Sequence, residues 1–344
     1  MHAVAISPSI SSRLDAVTLP RLLGRHDDVG QRSESYRDPM AKKKTRRRAA
    51  TPPVPPGMER IRPPKKELRK LLQLLVAIPA AAEVAVAGQP LPKGEKAQRL
   101  MMFDAGVFNR ACNSLKVVRL LCAELHWEFA VTAVRQLFEL VVNLEYLAAQ
   151  PDREAAVFRY SKYGLLQLVQ KQRLELLYQQ KTGRPIDEKR LASLEQMLDQ
   201  TFPEFRRVGR TGHVHFLKSW TGLTTRSLAE KSSHRLRKDQ WAGLYSAWSE
   251  QTHAAPAVLL GTMLPGATVE TVVAQDLTES VQAITMAITL FFELWLLLPH
   301  LPPPEPNQLR EWSKTMLDEA RKLGAPIPIL DPASDDEQET ARAN

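Results

Sequence analysis

Apolar residues recur every three and four positions along most of the chain between 65 and 324, and no stretch alternates at period two. The first spacing lines apolar side chains along one helix face, whereas the second would mark a strand. The pattern predicts an all-α protein, a bundle of long antiparallel helices with short helices inserted between them. Leu100, Phe103, Val107, Ala111, Leu115, Val118 and the Leu121/Cys122 pair trace one stripe over 96–124. A second helix is predicted over 127–149, ending where Pro151 disfavours helical backbone at Gln150. Asp152 is placed to cap a third helix reaching to about Gln180, before Gly183, and Asp187 to start a fourth.

Residues 205–222 contain Gly209, Gly212 and Gly222 without a period, which predicts a loop. Short helices are expected over 223–231 and 238–253, and a long one from about 270 to 298. A helix beginning near Lys65 should be interrupted at Pro79. A last amphipathic helix should end at Gly324.

These patterns divide the chain into a Pro-rich basic extension over 1–64, expected to be disordered, and a helical bundle over 65–300. A C-terminal amphipathic helix follows over 301–324, then a polar tail over 325–344 that is also expected to be disordered. Residues 1–39 read as an over-long gene start or a disordered extension, because "MAKKKTRRR" from Met40 resembles a natural protein start. Residues 1–30 hold Asp15, Asp27 and Asp28 and no long apolar run, so no secretory signal is expected.

Charge changes this picture at one place. The net charge is +9 with a pI near 9.6, and "AKKKTRRRAA" at 41–50 holds six basic residues and no acid. Lys42, Lys43, Lys44, Arg46, Arg47 and Arg48 are therefore candidates for nonspecific nucleic-acid binding through counterion release. The apolar run 281–298 is long enough to span a bilayer. It carries Gln282 and Glu293 and lacks basic flanks, so a buried core helix is expected there and no membrane span. Cys112 and Cys122 lie ten positions apart on one predicted helix, a rise of roughly 15 Å. A disulfide tolerates only about 7 Å between α-carbons, so both are expected as buried thiols in a reducing cytoplasm.

Chemistry-bearing residues gather in a few places. Over 127–149 the polar positions Glu128, Thr132, Arg135, Glu139, Asn143 and Tyr146 advance by threes and fours on an otherwise apolar helix. Such a stripe is either a solvated face or a polar seam inside the bundle, with Arg135 and Glu139 paired at i, i+4. His213 and His215 form H-x-H and could join His253 in a three-nitrogen metal site, but no metal or other cofactor is expected from so short a motif. Ser249 lies one turn before His253, without the sharp turn or oxyanion hole that a nucleophilic serine needs. The arginine-to-histidine spacing of HEPN-type ribonucleases occurs at Arg210/His215 and Arg119/His126, but the first lies in the glycine-containing loop and Leu120 replaces the expected polar residue in the second. Phosphate-loop and dinucleotide fingerprints are absent.

At "SWTGLTTRSLAE" (219–230) and "YSAWSEQTHAAP" (245–256) the chain resembles the bacterial domain of unknown function 5677 family. Trp220, Gly222, Arg226, Leu228, Ala229, Glu230, Ser249 and His253 occupy that family's motif positions, and Arg135 and Glu139 match its Arg-x-x-x-Glu helix. The resemblance covers roughly 97–300. It implies a helical domain in which Arg135, Glu139, Arg226, Glu230 and His253 converge between helices, with Trp220 and Ser249 walling the cluster.

Three function classes follow. The first is a helical interaction, regulatory or defence-related module, partnered by another protein or a second copy, whose polar cluster is structural. The second is a nuclease or nucleotide-processing enzyme built on that cluster, and the third a nucleic-acid-associated protein acting through the basic tail. The first is the favoured reading.

Overall fold

Four long helices pack their apolar stripes together, and the stripes are those the sequence marks. The computed structural model describes residues 66–246, Trp248 and 269–325, which belong to one compact unit. The elements are α1 (Arg69–Ala87), α2 (Glu95–Cys122), α3 (Trp127–Ala148), α4 (Arg153–Lys181), α5 (Glu188–Thr201), a 3-10 turn (Pro203–Phe205), β1 (Arg206–Val208), β2 (Val214–Phe216), α6 (Thr225–Lys231), α7 (Arg237–Gln240), a π turn (Trp241–Ser246), α8 (Val269–Leu296) and α9 (Pro306–Lys322). The protein is all-α apart from a two-stranded hairpin.

Helix α8 packs on α1, α2 and α3, while α2 packs on both α1 and α3. Phe108 of α2 meets Phe291 and Trp295 of α8 with ring centroids 5.6 and 5.2 Å apart. The register shows how the bundle is wound. Trp127 Nε1 donates to Asp276 (2.9 Å) near the starts of α3 and α8, and Arg237 bridges Glu145 and Glu293 near their ends. Helices α3 and α8 therefore run side by side in the same direction, because the long excursion from α4 to the π turn separates them. On its other side α8 runs antiparallel to α2.

The caps follow the sequence. Asp152 and Asp187 accept from the backbone N–H groups of Ala155 (2.9 Å) and Arg190 (3.0 Å), and Thr224 caps α6 through Ser227. Gly183 and Gly324 take positive φ, 73° and 65°, where the chain leaves α4 and α9. Helix α9 covers α1 and α8, burying Trp312, Met316 and Ala320 and stacking Trp312 on Phe292.

Three details differ from the sequence reading. Helix α1 continues through Pro79 instead of breaking, because Leu71, Leu75, Ile78 and Ala82 are fully buried on both sides of the proline and hold its flanks in one stripe. The segment expected as a loop forms the β1–β2 hairpin, with Arg207 opposite His215, too short for period two to show in sequence. The helix expected to begin at 238 is regular only to Gln240 and then widens into the π turn.

Two described helices are long and apolar enough to cross a bilayer. In α8 most of that apolar stretch (72%) is buried by the bundle, whereas in α1 only 33% is.

Candidate functional site

The polar stripe of α3 faces neither open solvent nor the bundle axis. It faces α6, the π turn and the segment that follows β2, and each position is partly covered. Asn143 accepts from the Trp220 indole N–H (2.6 Å) and donates to the Glu139 carbonyl (2.6 Å). Trp220 is buried and packs edge-on against Tyr146 and Tyr160. Arg159 donates to its carbonyl (3.2 Å). The tryptophan thus walls the seam at one end.

At the middle of the seam Tyr245 reaches in from the π turn. Its hydroxyl donates to Glu139, and the Arg135 guanidinium lies 4.5 Å over its ring. Burial, reinforced by the Glu139 hydrogen bond and charge, holds the Tyr245 hydroxyl above the usual phenol range, with Arg135 and Thr225 pulling the other way. Arg135 and Glu139 are thus gathered around one tyrosine.

At Glu145, near the same C-terminal end of α3 as Trp220, lies one of the most deeply buried charges among the described residues. Arg237 has 0% exposure. Its Nε donates to both Glu145 oxygens (3.2 and 3.1 Å), Nη2 to Glu145 (2.5 Å), and Nη1 to Glu293 (2.9 Å) and Gln240 (2.5 Å). Ser232 donates to Glu145 (2.8 Å), and His234 Nε2 lies 3.7 Å from Glu293. Burial lowers the Arg237 pKa. The Glu145 hydrogen bonds and the two carboxylate charges outweigh it and hold the guanidinium above its usual value. Its planar fork makes this many-pronged grip on two carboxylates geometrically available.

The residues expected to converge divide into two groups. Arg226 and Glu230 do pair (2.9 Å), but on the outside of α6, with side chains 61% and 40% exposed. Arg226 lies 5.2 Å over the Trp241 ring. A seven-residue helix cannot turn this pair inward, because its inner face is taken by Leu228 and Ala229. Ser249 and His253 lie outside the described residues, as do Lys42, Lys43, Lys44, Arg46, Arg47 and Arg48. His213 and His215 are exposed on the hairpin, and no group of three metal-ligating side chains occurs among the described residues.

Glu145, Arg237 and Gln240 were missed. Arg237 falls between the short helices expected over 223–231 and 238–253, where the sequence shows no period. One signal was present: Glu293 stands alone in an apolar helix, and a carboxylate so placed needs a cation. A second buried charge, Asp104 of α2, is held by Arg153 (2.9 Å) and by the His300 ring (2.7 Å) and backbone N–H (3.2 Å).

Fold and site together define an all-α bundle whose third helix carries a polar seam closed by an ionic lock. Residues 105–264 match the model of a family of unknown function (DUF5677), a span that contains α3, α6, the π turn and Arg237. No curated protein and no solved structure matches the chain.

Proposed function

We propose that the protein is a helical interaction or regulatory module of the cytoplasm, and that its ionic seam organises the fold and performs no catalysis. The observation supporting this is the saturation of Arg237. All three of its nitrogens are spent on Glu145, Glu293 and Gln240, at a buried residue. A guanidinium so engaged cannot clamp a phosphate without losing its carboxylates, and those carboxylates cannot act as bases while it holds them. The two free cysteines agree with a reducing compartment. Burial raises both thiols to about 12, which keeps them as inert core groups.

The competing reading places a nuclease or nucleotide-processing centre on Arg135, Glu139, Arg226, Glu230 and His253. Incubating the purified chain with single-stranded RNA and with ATP, each with Mg2+ or Mn2+, separates the two. The expected result is no turnover. Product release that disappears in Glu139→Gln, with an unchanged melting curve, would replace the structural reading by the enzymatic one.

A further inference from the structure

Helix α1 is apolar nearly all round, yet the bundle covers only one side of it. Val76 is 52% exposed and Val84 75%, and Ala77 and Ala80 are exposed between them. Positions 76, 80 and 84 advance by four, so these side chains form one strip along the helix, whose length is about 28 Å. The Glu83–Lys116 bridge (2.5 Å) ties this strip to α2 where Val117 and Leu120 are also exposed. Exposed apolar side chains gathered along a helix face mark a surface that something covers.

The charge beside it indicates what. Lys66, Arg69 and Lys70 are exposed where the chain enters α1. Between 41 and 70 the sequence carries twelve Lys and Arg against two Glu, so this short stretch accounts for the whole +9 of the chain and the remainder is close to neutral. Within the strip the one acid, Glu83, is already neutralised by Lys116.

We infer that the outer face of α1, with Lys66, Arg69 and Lys70 at its start, docks on an anionic lipid bilayer, with the helix lying along the headgroup boundary. An apolar helix face contributes burial and a polybasic stretch contributes attraction to acidic headgroups, and stable attachment takes both. A nucleic acid would use the basic residues alone. The strip has no aromatic ring for bases to stack on, and apolar surface does nothing for a phosphate backbone. A second copy would bring its own Lys66, Arg69 and Lys70 to the same face. This inference concerns a different surface from the seam and is tested without any turnover assay, so the two readings fail separately.

The test uses the full chain sedimented with vesicles of phosphatidylcholine alone and of phosphatidylcholine with phosphatidylserine. Binding is expected only to the second, weakening as salt rises, and reduced roughly tenfold or more by the Val76→Glu/Val84→Glu pair. Because both positions are exposed, the pair should melt like the parent. A second variant, Val84→Cys carrying an environment-sensitive fluorophore, reads contact directly, since the buried Cys112 and Cys122 resist labelling. A blue shift is expected on the anionic vesicles alone. Three results would overturn the inference: no sedimentation with either vesicle, binding unchanged by the valine pair with no blue shift, or a concentration-dependent dimer that the valine pair abolishes while vesicles stay unbound. Binding of single-stranded RNA that the valine pair leaves intact, without vesicle binding, would assign the basic stretch to nucleic acid.

Discussion

Two arginine–glutamate contacts flank the same α3 seam and use the same chemistry in opposite surroundings. Arg226 and Glu230 sit one turn apart on a single helix, solvated. Arg237 holds Glu145 and Glu293 from two other helices, fully buried. The first contact is made within one helix, whereas the second joins α3, α7 and α8 across more than a hundred residues of chain. Burial decides the difference. In water a charge pair exchanges one good solvation for another, while in the core each charge depends on its partner.

The sharpest way to break this comparison is to remove Arg237. Arg237→Ala leaves the partly buried Glu145 and Glu293 carboxylates without the guanidinium that holds them, and the expected loss is about 3–5 kcal/mol of unfolding free energy. Chemical denaturation at neutral pH measures it. A loss below about 1 kcal/mol would place the guanidinium in effective contact with water and remove the distinction between the two sites.

An intermediate case in energy lies on the same seam. Tyr245 is half-buried and donates to Glu139 under the Arg135 guanidinium. Tyr245→Phe keeps the ring and the cation above it but strands the Glu139 acceptor, at a cost of about 1–3 kcal/mol. The same substitution tests whether the π turn is held by this contact. If it is, amide exchange across Trp241–Ser246 should speed up more than the global loss accounts for. Equal acceleration everywhere would show that the turn is fixed by other contacts.

These sites also show what the sequence could and could not reveal. The long helices were legible, except for the unbroken run of α1 through Pro79, because burial of one face imposes a period on the residues that form it; the α3 polar stripe was legible for the same reason, but its spacing fits a solvated face as well as a seam. The lock was not. Arg237 belongs to a four-residue helix, too short for any period, and its partners lie 92 and 56 positions away. Only the isolation of Glu293 in an apolar helix pointed to a missing cation. Arg226 and Glu230 show the reverse error. Their i, i+4 spacing says that they can meet, and they do, but spacing carries no information about which side of a short helix faces the core. Pro79 shows how packing overrides a local rule: the proline removes a donor, yet the stripe on either side of it is buried tightly enough to keep α1 continuous.

The smallest effect is expected at the exposed pair, and it sharpens the comparison by its size. Arg226→Ala removes a hydrogen-bonded ion pair and a cation over the Trp241 ring 5.2 Å away. Both contacts are solvated, so the pair is worth well under about 1 kcal/mol and the ring contact about 0.5–1. Glu230→Ala removes only the pair. The difference between the two variants therefore isolates the contribution of the Trp241 contact, and it should survive high salt, whereas the shared part should fade. Denaturation midpoints of the two variants, at low salt and at 1 M salt where the screening length is about 3 Å, provide the measurement. If either variant loses as much as Arg237→Ala, the α6 pair is buried by something that covers this face, and the outside of α6 is an interface. If both lose little, the pair is free to serve a partner without cost to the fold, which is the arrangement an interaction module requires.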